Sequence, residues 1–348
     1  MKIFLPFKKD INPYLENTQK LSQHEYIYSN FRDYRVDFDI VNIHWPEAIF
    51  GWHEPSEAEL AELKTAFSNW RKHSVLVYTL HDDKRHKGMT RNFKKLFQLV
   101  ENYAEVFIHL GEYSKVIYQQ KFPEAVHKTI NHPLYEDAYP IYDKGVARDN
   151  LQIDQAAKVI IVPGNIRNDK EKKMVLRSFK SLKFENKVLI ATGMRAELKF
   201  DFPGRVRLKK IIDVKEQKAK WFKEKYQPPE YYFSYKRISS RELGLKMSAA
   251  DIVLIPRINN LNSGLFFLGL TYKKVLLGPE IGNIEEQLRK FNFPVFDPSS
   301  IRSIKMKIHE AFELSKSGYS WEEDKLNAYK VKEVVQELDK FMIKICNL

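Results

Sequence analysis

The sequence predicts an α/β protein built from two doubly wound domains that face each other across a cleft. Three observations predict it. Short apolar runs rich in β-branched and aromatic residues alternate along the chain with helical periodicity, the pattern of parallel sheets joined by crossover helices. The 348 residues exceed what one ordinary core accommodates, so two domains follow. The composition turns polar near Asp143 to Gln155, and the alternation then starts afresh.

In the first domain, residues 1–150, the strand candidates are KIFLPF, DIVNIHW, VLVYTL and EVFIHL. Asn12-Pro13-Tyr14 is expected to cap a helix after the first of them. Ser56-Glu57-Ala58-Glu59 has capping-box spacing, and the helix it opens sets Leu60, Leu63, Phe67 and Trp70 on one stripe. Phe93, Leu96, Phe97 and Val100 repeat that spacing. The stretch KGVARDNLQID reads as a hinge. The second domain, residues 151–325, carries strand candidates KVIIVPG, KVLIATG, EYYFSY, DIVLIP and KVLLGP. Helices are predicted at about Lys170–Leu182, Ser240–Ala249 and Gly264–Tyr272, with Ser239 and Glu242 again at capping-box spacing. Residues 326–348 form a last helix whose stripe, from Val331 to Ile345, needs a partner surface. It is expected to pack back on the first domain.

Bulk properties narrow the class. Hydrophobic content of 43% and 13 glycines fit a folded chain. The longest apolar runs fall short of the ~20 residues a membrane span needs. The opening MKIFLPFKKDINPY has too short an apolar run for a signal peptide, so the cytosol is the expected compartment. One cysteine, Cys346, excludes a disulfide framework and a cysteine-based metal site. A net charge of +13 attracts nucleic acid, anionic lipid headgroups or phosphorylated substrates, and part of it is a solvated lysine surface. No nucleic-acid motif is present, so nucleic acid is not an expected partner.

In doubly wound sheets ligands sit beyond the carboxyl ends of strands. After the strand ending at Ile255 comes a loop with Asn259, Asn260, Asn262, Ser263 and Gly264, and no carboxylate before Glu280. Ser263 suits an N-cap, Gly264 lets another group approach, and a helix starts at Leu265. A helix N-terminus with unpaired N–H groups seats an anion. The same residues also make an ordinary capped turn. In VPGNIRNDKEKK, Gly164 ends a strand, and Arg167 and Lys170 follow. Arginine contacts phosphate bidentately and lysine as a point charge, although such cations are often merely solvated. His44, His81 and His109 close three first-domain strands and are expected to line a polar cleft. They lack the paired spacing of a zinc site, so no metal is implied.

These segments together resemble the retaining glycosyltransferases of the family-four type, with the GT-B architecture of two Rossmann-like domains, over most of the chain. VIIVPGNIRNDKEKKMVLRSF resembles that family's phosphate-binding turn, with its G-x-I-R-x-x-K pattern. YKRISSRELGLKMSAADIVLIP resembles the segment that passes the nucleotide base. NSGLFFLGLTYKKVLLGPEIGN resembles the donor loop of an N-S-G subgroup, and HWPE is similar to a motif of polysaccharide-assembling mannosyltransferases. HLGEYSKVIYQQKFP and NHPLYEDAYP resemble the segments that lead to the hinge. The resemblance implies that Arg167 and Lys170 hold a donor diphosphate, with Gly164 in the turn. It implies that Ser263, Gly264 and the amide of Leu265 bind it from the helix terminus while Asn262 shapes the loop. Backbone at Arg237 and Ile238 would meet the base, His81 would lie by the donor sugar, and His44 and Trp45 on the acceptor side.

The implied function is hexose transfer from a GDP- or UDP-linked sugar to a glycan or lipid-linked acceptor in surface polysaccharide assembly, with retention and without metal or cofactor. Two departures stand out. The family's glutamate pair falls on Asn259 and Phe267, and KKDINPYLENTQK replaces a glycine-rich loop. A nucleotide-sugar epimerase of the same architecture is the rival enzyme; it needs a carboxylate acid/base set in the cleft, for which Asp82, Asp83 and Glu112 are the first-domain candidates. A non-catalytic basic binder of glycan or nucleic acid is the third reading. The basic stretch DDKRHKGMTRNFKK suits docking on an anionic membrane, at the inner face of the cell membrane, and equally suits a plain exposed helix.

Overall fold

The computed structural model describes residues 1–10, 12–85, 88–196 and 209–347, with side chains absent from the description at 209–215. The first sheet contains β1 (Lys2–Leu5), β2 (Glu25–Tyr28), β3 (Ile40–Ile43), β4 (Val75–Leu80), β5 (Val106–His109) and β6 (Val126–Thr129). Its helices are α1 (Pro13–Leu21), α2 (Glu57–Trp70), α3 (Arg91–Tyr103) and α4 (Glu112–Lys121), and α5 (Lys144–Leu151) follows the crossover to the second domain. The second sheet contains β7 (Lys158–Asn165), β8 (Lys187–Gly193), β9 (Tyr231–Phe233), β10 (Ile252–Leu254), β11 (Val275–Pro279) and β12 (Val295–Phe296). Around it lie α6 (Asp169–Ser181), α7 (Lys209–Lys225), α8 (Ser240–Ala249), α9 (Gly264–Thr271), α10 (Gly282–Lys290), α11 (Ile301–Lys316) and α12 (Glu323–Asn327), and α13 (Val331–Cys346) ends the chain.

Both sheets are parallel throughout. Their orders are β2-β1-β3-β4-β5-β6 and β12-β11-β10-β7-β8-β9. The chain reverses its direction of winding between β1 and β3 in one sheet and between β7 and β10 in the other. Such reversals open the crevices in which doubly wound sheets hold ligands. Every strand expected from an apolar run is present. The unexpected ones, β2, β6 and β12, are all edge strands. An edge strand is covered less completely than a central one, so it lacks the continuous apolar run that marks its neighbours.

Local signals explain most helix starts. Ser56 Oγ accepts from the Glu59 N–H at 3.2 Å and Glu59 Oε2 from the Ser56 N–H at 2.8 Å, a complete capping box. At α8 only half the box forms. Ser239 Oγ accepts from the Glu242 N–H, while the Glu242 carboxylate turns to Lys246 at 2.6 Å. Asn12 caps α1 through the Tyr14 N–H. The stretch with hinge composition is helix α5. Its Arg148 is 2% exposed, donates to Ala249 O and pairs with Asp251 at 3.0 Å. Its polar residues are the solvated side of a helix pinned to the second domain by one buried guanidinium. Helix α13 lays Val334, Leu338, Phe341, Met342 and Ile345 on Ile3, Ile40, Val77, Val106 and Ile108 of the first sheet. Asp339 there accepts from Ser22 Oγ and from the Gln23 N–H.

Candidate functional site

At the carboxyl ends of β7 and β10 lies an interdomain cleft of about 860 Å³. Gly164, next to last in β7, has φ +71°, a left-handed conformation that favours glycine, and a Cβ there would come within 3.0 Å of the Leu265 side chain. The turn that follows carries Arg167, whose N–H donates to Glu171 Oε2 at 2.7 Å. Arg257, two residues past Ile255, is 3% exposed. Its Nη1 donates to Glu171 Oε2 and to Asn165 O, both at 3.1 Å, while its Nε has no partner among the described residues. Burial, then the neighbouring Arg167 charge, bring the Arg257 pKa down to about 10, so it stays cationic at neutral pH. Burial lowers Arg167 in the same direction, and Asp82 at the end of β4 acts on both guanidiniums in the opposite one.

The opposite wall is the start of α9. Ser263 occupies the N-cap position, yet its side chain makes no capping hydrogen bond. Its Oγ is buried and without a partner among the described residues. Buried polar atoms normally find partners, so this oxygen is an exception at the mouth of the cleft. Gly264 and Leu265 of the first turn of α9 line the same space, and a helix N-terminus favours an anion. Gly164, Arg167, Arg237, Ile238, Ser263, Gly264 and Leu265 all line this one cleft, together with Arg257, Tyr135 and, from α1, Pro13 and Glu16.

Two residues expected there are elsewhere. Lys170, in the first turn of α6, is exposed and outside the lining. Asn262 is spent on the other domain. Its Nδ2 donates to His81 O at 2.8 Å and its Oδ1 accepts from Asn283 at 2.9 Å. Asn283 in turn exchanges hydrogen bonds with Ser114, and Gln287 donates to Leu110 O. Glu286 accepts from the N–H groups of Glu112 and Tyr113 at the start of α4. Asn259 accepts from Lys84 of the first domain. These side chains therefore stitch the loop and α10 to the first domain.

His44 and His81 come together, with Nδ1 and Nε2 3.0 Å apart. The Trp45 ring stacks on His81 at 4.5 Å and Tyr14 meets it edge-on at 4.8 Å. Burial lowers both imidazoles, His44 to about 3, so the pair is neutral at pH 7. Neither ring lines the cleft. His109 sits apart, completely buried between Ser114 and His127. None of the three histidines expected to line the cleft is in its lining: His44 and His81 pair with each other, and the end of β5 is covered by α10, whose Gln287 donates to Leu110 O. His132 and Phe267 stack at 4.2 Å, so the position of the family's second glutamate is a core aromatic.

Arg257 and Glu171 were not legible as site residues. Arg257 lay inside the singled-out loop, and its place directly after Pro256 at a strand end was the available signal. Glu171, within the charged run DKEKK, carries no such signal. In the basic stretch near α3, Arg85 covers the Phe93 ring at 3.8 Å and Lys95 pairs with Glu57 at 2.6 Å. His86 and Lys87 of that stretch lie outside the described residues. No helix among the described residues is long and apolar enough to cross a membrane.

No family model matches the chain, and no curated protein matches it in sequence. Solved structures match its fold. HepE of Anabaena, solved with UDP and glucose, is 12% identical with a TM-score of 0.65, over 98% of each chain. WaaG, a glycosyltransferase involved in lipopolysaccharide biosynthesis, is 12% identical with a TM-score of 0.60, over 98% of this chain and 99% of its own. Sucrose-phosphate synthase from Thermosynechococcus elongatus is 11% identical with a TM-score of 0.60, over 88% of this chain and 74% of its own. The chain has the two-domain GT-B fold shared by these structures.

Proposed function

We propose that the protein is a glycosyltransferase that moves a hexose from a UDP- or GDP-linked sugar to a glycan or lipid-linked acceptor. One observation carries this: two guanidiniums, an orphan buried hydroxyl and a helix N-terminus converge on a single interdomain cleft at a sheet's switch point. That is the equipment for a diphosphate. The structural neighbours solved with UDP support the donor class, and fold likeness alone would not. The difficult part of such a transfer is negative charge growing on the departing diphosphate as the sugar gains oxocarbenium character. Arg167, Arg257 and the α9 terminus are fixed donors aimed at that charge, stabilising the transition state beyond the ground state. In this reading the two arginines supply the positive charge directly, without a divalent ion. Arg237 and Ile238 face the base, and the neutral His81–His44 pair with Trp45 backs the side where sugar and acceptor meet.

Retention of configuration, a role in surface polysaccharide assembly and peripheral contact with an anionic membrane belong to the same proposal. Liposome co-sedimentation with and without anionic lipid tests the last. The deciding experiment is a thermal-shift panel of UDP-, GDP-, ADP- and dTDP-sugars, because a ligand that binds only the native state raises its midpoint. A UDP- or GDP-sugar is expected to register, and release of free nucleotide with an enlarged acceptor separates transfer from epimerisation. No shift with any of the four removes the assignment.

A further inference from the structure

We propose that the Tyr135 hydroxyl is a further hydrogen-bond donor to the terminal phosphate of the bound nucleoside diphosphate, a placement that rests on the glycosyl-transfer function above. Tyr135 lies on the segment that crosses from the first domain to the second. Its N–H donates to Thr271 Oγ1 at 3.0 Å, and its ring lies against His132 and Tyr139 with centroids 5.4 and 6.1 Å away. The hydroxyl itself reaches the first residue of α9. A Cβ built on Gly264 would stand 2.6 Å from Tyr135 Oη. Position 264 thus has no room for a side chain while the tyrosine is in place.

The hydroxyl stands beside Gly264 at the cleft that Ser263, Gly264 and Arg257 line. Packing against His132 and Tyr139 uses only the ring of this partly buried tyrosine, which leaves its hydroxyl for the cleft. Burial holds its pKa above the ordinary phenol value, which keeps it a proton-bearing donor across the working range. Ser263 Oγ, 3% exposed by residue, is a buried hydroxyl at this helix start without a partner among the described residues. An anion with several acceptor oxygens seated between them satisfies both, and charge-assisted hydrogen bonds of this kind are the stronger class.

The test titrates UDP and GDP, each beside its monophosphate, into the wild-type protein and Tyr135→Phe, which keeps the ring packing. The expected result is a loss of about tenfold in diphosphate affinity, the scale of one hydrogen bond to a charged group, with monophosphate affinity and melting midpoint unchanged. Equal affinities for the diphosphate, or an equal loss for the monophosphate, overturns the assignment while leaving sugar transfer intact. A wild-type protein that binds neither UDP nor GDP instead removes the parent function, and the tyrosine's role with it. A second comparison uses the collision. Gly264→Ala is expected to cost more diphosphate affinity in the wild-type background than in Tyr135→Phe, where Oη is gone. Equal costs overturn the placement.

Discussion

Removing the Ser263 hydroxyl should raise stability and lower ligand affinity together. A serine at an N-cap normally supports its helix, and its replacement by alanine costs about 0.5–2 kcal/mol. Here the side chain makes no such hydrogen bond, and its oxygen is buried without a partner. An unsatisfied buried hydroxyl costs about 1–3 kcal/mol, so Ser263→Ala should stabilise the ligand-free protein by about 1 kcal/mol once the small void is counted. For a domain of this size that is about 2–4 °C in melting midpoint. The bound state loses a hydrogen bond to a charged phosphate, about 1.5–3 kcal/mol, or roughly ten- to a hundredfold in affinity. Differential scanning calorimetry without ligand and titration calorimetry with UDP and GDP read the two effects separately. A lower midpoint would mean that the hydroxyl has a structural partner. Unchanged affinity would mean that nothing binds at the start of α9. Either result refutes the reasoning.

Three further outcomes follow from the same structure. Arg257→Met strands the buried Glu171 carboxylate and should cost about 3–5 kcal/mol in chemical denaturation; adding Glu171→Gln should restore most of the stability but not UDP or GDP binding. The buried histidines His44, His109 and His132 have pKa values lowered from 6.5 to about 3, 3 and 4, and His81 is lowered as well. The unfolded chain therefore binds more protons below pH 6.5, so stability is full above that value and falls as acid approaches pH 4; a denaturation midpoint that is flat or rises over this window contradicts the burial. Asn283→Ala cuts the link between Ser114 and Asn262, and hydrogen exchange should speed at the His81 loop and the start of α4 while β8 and β9 stay protected.

The alternation of apolar runs with helical stripes determined the two-sheet architecture, because each core face must repeat with the period of its own element. Strand ends followed from it, and with them the turn after β7 and the loop after β10. Amino-acid type also marked Gly164, Ser263 and Gly264, three residues that line one cleft. The tertiary structure alone decided which side chains converge. Neighbours on a helix point about 100° apart, so Glu171 turns in to hold Arg257 while Lys170, one step earlier, turns out to water. Asn262 looked like part of a ligand loop because its acceptor, the His81 carbonyl, lies 181 positions away in the chain. Local pattern says what a residue can bond; only the packed chain brings the partner within reach.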